Sequence, residues 1–516
     1  MNSRRIGLYL KALAIICAGL VIISCNKKET NIRPDIVAQI GDHSITSKDF
    51  QLNYEFGFSH LKNGRNKKLS YLKKMISEKL LALEGYRLGL DKMDHVQRRE
   101  KHLFKELLVE ELLMKEVDQK IQIDHKEIMY AISKSNVQFK LKYWVEPSLE
   151  SAVTVKALLQ NNEDLNLTQE IVTKNSELAY NIDSFETDYL TWLDMPPDLL
   201  KEINGLEMGE ISTPYKFDQV YLLLQVADIK NGILSEFDYD NNYSRFKQIL
   251  LNRKIENKTA LYVSQYLTPK DIVTKKTAFN VLANALGEWK NDISQNDSFK
   301  NVVLHADDRW PALQELKNNL NETLVSYNKG NWTLKDFIER FDPSAIHNNE
   351  LDIITLKREL NHEIAHMIRS YFLSQEAIAQ GLDQSESLLT ELEKWRDKWV
   401  YEEFYQYLTH DLNLSEDKIR KYYYDHLARY SSKKENSTFS TFEKNVRHDA
   451  YLESRQLIIE QKVQLLKNDY TVIINQDILD TISVIEYEKA QWANLLLYKA
   501  GSGRQAIPVV DPQWSF

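Results

Sequence analysis

The pattern with the most evident chemistry is a pair of histidines one helical turn apart, in the stretch His-Glu-Ile-Ala-His formed by His362, Glu363 and His366 with two apolar residues. This is the pattern of zinc proteases, in which two histidines bind the metal and the glutamate activates a bound water. Glu386 or Glu391 could supply a third ligand. Zinc-dependent hydrolysis is therefore one hypothesis for this chain.

The helical phase of the neighbouring residues argues against a metal site. Apolar residues three or four apart define one helical face, made of Leu356, Leu360, Ile364, Met367, Ile368 and Tyr371. His362 and His366 point roughly 140° to 180° away from the centre of that face, at about 100° per residue. This phase predicts that both histidines lie on the solvent side. Because a zinc protease needs the pair inside a closed cleft, we expect no metal or other cofactor.

The same region contains a repeated stretch that organises the whole chain. Met75–Asp91 recurs as Met367–Asp383 without a gap, and seven of the seventeen positions are identical. Both stretches end in Gly-Leu-Asp, and glycine suits the left-handed position that follows a helix. Because repeated units share one design, the sequence predicts two related helical modules.

The repeat extends upstream into a hairpin and a helix start. Val37 to Thr46 alternates around a Gly-Asp pair, as two strands joined by a turn do. Thr46 and Asp49 have the spacing of a helix cap, and Thr333 and Asp336 repeat it. The helix that follows in the first copy has its apolar residues on one face: Leu69, Leu72, Ile76, Leu80 and Leu83.

Between the two copies the pattern changes to short strands and helices. Val137–Val145 alternates like a strand, Ser151–Gln160 is an amphipathic helix, and Val220–Val226 is a continuous apolar strand. A helix with several Lys and Arg residues follows from Phe237 to Leu267. The sequence therefore predicts a mainly α chain with a small inserted α+β domain.

Length and charge exclude some classes of protein. A chain of 516 residues is too long for one core, so several domains are expected. The formal net charge of -9 and the isoelectric point near 5.8 leave no basic excess to neutralise phosphates. We therefore expect no nucleic-acid partner.

The first 25 residues have the layout of a secretory signal. Arg4 and Arg5 precede an apolar stretch that ends at Cys25, just before a charged segment. The closing residues resemble the lipobox of bacterial lipoproteins, in which the cysteine is acylated and anchors the chain to a membrane; an ordinary signal peptide is the alternative. The other cysteine, Cys17, lies in the part that would be removed, so we expect no disulfide in the mature chain.

Three features together resemble a known family: Asp42 to Phe50, the helix containing Met75 and Ile76, and Gly205-Leu-Glu-Met-Gly-Glu-Ile-Ser-Thr-Pro214. They resemble the periplasmic SurA-type chaperones and the foldases that carry parvulin-type prolyl isomerase domains. The resemblance covers Ile36 to Leu267, and the second copy extends it from Thr323. It implies a fold of two SurA-like helical modules plus one parvulin-like domain.

The boundaries predicted on this basis follow the repeat. They are a lipoprotein signal peptide at 1–25, a first SurA-like helical module at 26–136, a degenerate parvulin-like domain at 137–230, a helix returning to the first module at 231–267, a helical connector at 268–322, a second SurA-like module lacking a parvulin domain at 323–480, and a C-terminal helix and tail at 481–516. The last residues, Gly501 to Phe516, with two prolines and a terminal Trp-Ser-Phe, are either a docking peptide or loose.

The parvulin resemblance implies a pocket that holds a proline ring between two histidines, above a methionine and a phenylalanine. Taken position by position, the histidines fall on Tyr143 and Tyr221, the methionine on Met195 and the phenylalanine on Leu199. Three of these four positions depart from the family's pattern. The resemblance therefore implies a degenerate site, and no residue is assigned a catalytic role.

The function predicted from these features is that of a lipid-anchored chaperone in the cell envelope, facing the periplasm and held at the outer membrane. Its partners would be unfolded or nascent secreted and outer-membrane proteins. The aromatic-rich run Trp395–Tyr407 either packs in a core or lines a surface for such clients. An active prolyl isomerase, a zinc metalloprotease and a scaffold lipoprotein are the alternatives.

Overall fold

The computed structural model describes residues 35–160, 186–192, 194–217, 220–232, 235–292, 297–343, 346, 352–430, 438–485 and 507–515. Helices dominate these residues, and the described strands form three small antiparallel sheets. The predicted fold class, mainly α with a small α+β part, is therefore confirmed. The predicted signal peptide and Cys25 lie outside the described residues. None of the helices described is both long and apolar enough to cross a membrane.

The first half of the chain runs from a hairpin into long helices and then into the small α+β region. Its elements are β1 (Ile36–Ile40), β2 (His43–Thr46), α1 (Ser47–Phe56), α2 (Lys67–Arg87), α3 (Asp94–Glu116), α4 (His125–Lys134), β3 (Val137–Glu146), α5 (Leu149–Gln160), α6 (Pro197–Asn204), β4 (Tyr215–Phe217), β5 (Val220–Asn231) and α7 (Glu236–Leu267).

The second half repeats the hairpin and the long helices. Its elements are β6 (Val273–Thr274), α8 (Lys276–Asp292), α9 (Phe299–Leu304), α10 (Pro311–Asn318), β7 (Thr323–Tyr327), β8 (Gly330–Thr333), α11 (Leu334–Ile338), α12 (Ile353–Ala379), α13 (Glu386–Thr409), α14 (Glu416–Asp425), α15 (Leu427–Tyr430), α16 (Phe439–Asp469), β9 (Val472–Ile474) and α17 (Gln476–Thr481).

The chain divides into two compact units. The first unit holds the described residues of Met1–Leu108 and Ser374–Phe516, and the second unit holds Val109–Leu373. The division falls inside α3 and inside α12, so two long helices each contribute to both units. Each unit therefore contains residues from both copies of the repeat.

The predicted repeat is present at the level of local geometry. Both α2 and α12 are followed by a glycine in the left-handed region, with φ of 76° at Gly89 and 73° at Gly381. Thr46 caps α1 by accepting the backbone N–H of Asp49. Thr333 caps α11 in the same way and forms a full capping box with Asp336. The cap and the glycine stop, both predicted from sequence, are confirmed.

Each hairpin is completed by a strand that lies far away in the sequence. In the first unit the sheet order is β2-β1-β9, and Ala38 pairs with Ile474. In the second unit the order is β6-β7-β8, and Val273 pairs with Ser326. The strand that follows α7 thus pairs with the second hairpin, and the strand that follows α16 pairs with the first. The two copies exchange their last strands.

The small α+β region of the second unit is a sheet in the order β3-β5-β4. Ten residues of β3 pair with β5, and a register shift between Lys140 and Leu141 marks a bulge. One sheet face packs on α6 through a cluster that includes Phe139, Leu141 and Ile203. The strand predicted at Val137–Val145 and the strand predicted at Val220–Val226 are both present.

Candidate functional site

The last described residues of the chain, Ile507–Ser515, lie in a groove on the first unit. We call this segment the tail, and the groove the tail groove; Asn53, His60, Tyr71, Glu78, Tyr401 and Arg455 line it. Val509 and Val510 are 5% and 1% exposed, so the groove buries both aliphatic side chains. Val510 belongs to the hydrophobic core of the unit, and Trp514 packs against that core. The tail is therefore a docked peptide.

One amide side chain holds the backbone of the tail. Asn53 Nδ2 donates to the carbonyl oxygen of Pro508 at 2.8 Å, and the N–H of Val510 donates to Asn53 Oδ1 at 3.1 Å. A carbonyl only accepts and a backbone N–H only donates, so these partners fix the orientation of the amide. Asn53 thus bonds the carbonyl of one tail residue and the N–H of the residue two positions later, as a residue of a neighbouring parallel strand does. The contact involves only backbone atoms of the tail.

Tyr71 orients this amide from α2. Its hydroxyl lies 2.9 Å from Asn53 Oδ1 and 2.8 Å from the backbone oxygen of Asn53. The Tyr71 side chain is completely buried, and burial raises the pKa of its hydroxyl well above the usual value. The hydroxyl therefore stays protonated and available as a donor. The Asn53 amide is thus set in place by a rigid neighbour.

A carboxylate holds the next part of the tail. Glu78 Oε1 accepts the backbone N–H of Asp511 at 2.6 Å and the indole N–H of Trp514 at 3.0 Å. Glu78 Oε2 accepts from Lys398 Nζ at 3.0 Å, and both side chains of this ion pair are 12% exposed. Burial raises the pKa of Glu78, while Lys398 and the Asp511 N–H act in the opposite direction. Glu78 thus recognises one backbone donor and one side-chain donor.

Three further contacts complete the groove. Tyr401 donates its hydroxyl hydrogen to Asp511 Oδ2 at 3.2 Å, and His60 Nε2 lies 3.0 Å from the carbonyl oxygen of Pro512. Arg455 on α16 donates to the side-chain oxygen of Gln513. Groups from α1, α2, α13 and α16 and from the turn at Ser59–Leu61 therefore converge on one short segment, whose last residues, Pro512–Ser515, form a 3₁₀ turn.

An open cavity of about 410 Å³ adjoins the tail. The β1–β2 turn, α2 and α13 line it, and Ile507 and Pro508 form part of its wall. Ion pairs cross the cavity between α13 and the first copy, since Lys394 pairs with Asp49 and Lys79 pairs with Asp397. A second cavity of about 440 Å³ shares His43, Glu393 and Asp397 with the first. The first unit thus has unfilled space beside the docked segment.

The residues carried over from the parvulin resemblance do not converge on one pocket. Met195 and Leu199 are buried on one face of the small sheet, and Tyr143 packs against the same cluster. Tyr221 pairs with Glu146 in the register of β3 and β5. Because side chains alternate along a strand, Tyr221 lies on the opposite face, whereas its neighbour Leu222 packs on the Met195 side together with Leu224 and Val226.

The histidine pair lies on the outer side of α12. His362 and His366 are exposed, whereas Ile364 and Ile368 are 2% and 3% exposed in the core of the second unit. His366 Nδ1 lies 3.9 Å from Glu363 Oε1, the nearest acidic partner along the helix. Within the part of the chain that the structure describes, no three His, Cys, Asp or Glu side chains are grouped so that they could hold a metal.

The groove residues were not found from the sequence. Asn53 and Tyr71 are single residues with no motif around them, and Glu78 is a position of Met75–Asp91 that the second copy does not repeat. Their distance from the tail along the chain exceeds 430 residues. The two prolines and Trp514 did mark the tail as a possible docking peptide. Tyr401 lies in the aromatic-rich run Trp395–Tyr407, which in part packs in the core and in part contacts the tail.

Comparisons with known proteins return only solved structures, since no family model and no curated protein matches the chain. A peptidylprolyl isomerase, PrsA from Bacillus cereus, is 15% identical and aligns over 53% of this chain and 98% of its own, with a TM-score of 0.21. The foldase PrsA from Streptococcus pneumoniae is 12% identical over 42% of this chain and 86% of its own, with a TM-score of 0.24.

A third match comes from work on two SurA-like chaperones of Campylobacter jejuni, PEB4 and Cj1289. It is 15% identical and covers 46% of this chain and 100% of its own, with a TM-score of 0.19. At TM-scores this far below 0.5, the matches carry no argument about activity. The proteins they name are PrsA foldases and SurA-like chaperones, which is the family that the sequence resembles.

Proposed function

We propose that this chain is an extracytoplasmic chaperone, anchored by lipid at Cys25, that holds short segments of unfolded secreted or outer-membrane proteins in the tail groove. The observation that carries the proposal is the docked tail. Four backbone groups of this segment are bonded by side chains of the groove: the carbonyls of Pro508 and Pro512 and the N–H groups of Val510 and Asp511. Every polypeptide has such groups, so the groove can accept varied sequences.

The side chains of the groove are suited to binding a peptide rather than to catalysing a covalent reaction. The polar groups that contact the tail are an amide, a carboxylate, the Tyr401 hydroxyl, an imidazole and an arginine, and each of them acts as a hydrogen-bond donor or acceptor. Burial of one valine side chain is worth about 1.5–3 kcal/mol, and most of this is offset by the ordering of the bound segment. The balance suits a chaperone, which must release its clients.

The isomerase alternative has less support. A prolyl isomerase must be complementary to a twisted imide rather than to the ground state. Tyr143, Met195 and Leu199 share one apolar face, but Tyr221 lies on the other side of the sheet. The zinc-protease alternative would need His362 and His366 in a cleft, and both are exposed.

The test is the aggregation of an unfolded outer-membrane protein, diluted from urea and followed by light scattering. We expect the purified chain beginning at Asn26 to slow the rise in scattering, and Asn53→Ala to weaken that effect. Arg340→Ala is the matched control, because Arg340 follows Thr333 by seven residues as Asn53 follows Thr46. If scattering rose equally fast with and without the chain, and also with a chain lacking residues 507–516, the proposal would be wrong.

A further inference from the structure

We infer that the tail is the resident ligand of the tail groove, and that clients are short segments of the same class that enter by displacing it. The class is an adjacent pair of aliphatic residues followed, four residues after the second, by a tryptophan. This inference rests on the proposed function and adds to it the kind of segment bound and the competitor built into the chain.

The aliphatic pair is defined by burial. Val509 and Val510 are buried, at 5% and 1% exposure, whereas Pro512 and Gln513 are exposed. Val510 lies in the same cluster as Tyr71 and Tyr401, two of the aromatic residues that form the floor of the groove. A polar side chain at either valine position would lose its hydration without gaining a partner. The groove therefore selects apolar residues at these two positions.

The tryptophan is defined by Glu78. The carboxylate accepts both the N–H of Asp511 and the indole N–H of Trp514, so the ring is held at a fixed distance from the backbone. Phenylalanine offers no such donor, and tyrosine places its donor at the far end of the ring. A segment with tryptophan in this position satisfies both bonds to Glu78 at once.

The prolines show which backbone groups the groove reads. Pro508 and Pro512 have no N–H, and the groove bonds only their carbonyl oxygens. Val510 and Asp511 are bonded through their N–H groups. The groove thus tolerates proline at positions 508 and 512, and it excludes proline at 510 and 511, where the donor would be lost.

The tail competes as part of the same molecule. A covalently attached ligand has a high effective concentration, so a free segment binds only to the fraction of molecules whose tail is displaced. The apparent affinity of the intact chain for a free segment falls by that fraction. Removal of residues 507–516 is therefore expected to strengthen binding of a free segment by about 10-fold or more.

The first experiment uses a fluorescent synthetic peptide with the sequence of residues 507–516. Anisotropy titration should show saturable binding to the chain that lacks this segment, and weaker binding to the intact chain. A peptide with Val510→Pro or Asp511→Pro should not bind, whereas Pro512→Ala should bind like the original. Equal affinity of the proline peptides, or equal affinity for the two chains, would overturn the inference.

The second experiment keeps the chain intact and covers the case in which the shortened chain does not fold. The chain from Asn26 onward contains no cysteine, so Ser515→Cys provides a single site for a fluorophore. Addition of an unfolded outer-membrane protein should lower the anisotropy of this label as the tail leaves the groove. If aggregation is slowed but the label does not change, the inference is wrong, and the chaperone activity proposed above stands with a binding site outside the tail groove. If neither aggregation nor the label responds, both are wrong.

Discussion

The two copies of the repeat have the same hairpin and long helix, but different elements pack against that helix. In the first unit, α2 packs against α13, α16 and the tail. In the second unit, the matching helix α12 packs against α8, where Leu356 lies next to Gly287, and contributes to a core that includes Leu282, Leu286 and Leu313. The hairpin, the threonine cap and the left-handed glycine occur in both copies. The repeat therefore defines a scaffold, and the elements added to it define the surface that remains.

The groove residues differ between the copies. Asn53 and Glu78 hold the tail, and the repeat places Arg340 and Ser370 at their positions in the second copy. Arg340 is exposed and stacks on the Trp332 ring at 5.2 Å. The scaffold residues are thus shared, whereas the contacts that Asn53 and Glu78 make to the tail have no counterpart at the matched positions of the second copy. Substitutions at matched positions can test this division.

The largest expected effect concerns a glutamate that both copies contain. Glu84 accepts from Arg87 at 2.7 Å and from Lys462 at 2.8 Å, and these partners lower its pKa to about 2. Since the pKa in the unfolded chain is higher, this stabilisation is complete above about pH 4.5 and is lost as the pH falls toward 2. Glu84→Gln should lower the free energy of unfolding at pH 7 by about 3 kcal/mol. The matched residue Glu376 bonds Gln380.

Thermal unfolding at several pH values, followed by circular dichroism, measures this difference. The wild-type chain should lose stability between about pH 4.5 and pH 2 more steeply than Glu84→Gln. Glu376→Gln should change the unfolding free energy by less than about 1 kcal/mol. Parallel pH profiles for the wild type and Glu84→Gln would contradict the assigned role of Glu84.

The next effect concerns the distance between helices. A Cβ atom at Gly85 would lie 2.6 Å from Val400 Cγ1 and 3.1 Å from the Val400 carbonyl oxygen, so glycine allows α2 and α13 to approach closely. The second copy has Ala377 at this position. Gly85→Ala should destabilise the first unit by about 2 kcal/mol through overpacking. A melting temperature equal to or above that of the wild type would show that the two helices can separate without cost.

The third prediction compares Asn53 in the groove with Arg340, the matched residue of the second copy. Asn53→Ala removes two hydrogen bonds to the bound backbone and should weaken binding of the 507–516 peptide to the shortened chain by about 10-fold. Arg340→Ala should leave the affinity unchanged. Anisotropy titration measures both variants, and a similar loss in both would mean that the groove does not depend on the first copy.

The smallest effect should be the same in both copies. Gly89 and Gly381 have nearly equal positive φ values, and no atom lies within 4 Å of a Cβ built on either. Gly89→Ala and Gly381→Ala should therefore each cost about 1 kcal/mol, from backbone strain alone. Thermal unfolding of the two single variants measures this cost, and a large difference between them would show that the two helix ends are not equivalent.

The sequence predicted the scaffold well because local signals specify it. Helical periodicity placed Leu72, Ile76 and Leu80 in the core, and the glycine after each helix marked its end. Histidine phase predicted the exposure of His362 and His366. The exchange of β6 and β9 was not predicted, since neither the pairing of Val273 with Ser326 nor the far more distant pairing of Ala38 with Ile474 leaves a local pattern.

The groove was missed for the same reason. Its contacts join Asn53 and Glu78 to a segment more than 430 residues later, and hydrogen bonds between single residues have no periodicity. The alignment onto Tyr221 differs by one residue from the face that packs on Met195, and a shift of one residue reverses the side of a strand. Contacts between residues distant in the sequence and the register of paired strands are thus the two properties that local sequence patterns did not predict.

The exchanged strands also set an order of events when the chain is made. Hairpin β1–β2 is among the first described parts to emerge, but its partner β9 follows roughly 430 residues later, which takes about 20–90 s at ordinary rates of synthesis. Throughout that time β1 presents an unpaired edge, the feature through which strands of different molecules aggregate. During its own synthesis the protein therefore resembles the unfolded clients proposed for it, and it requires shielding until its last strand arrives.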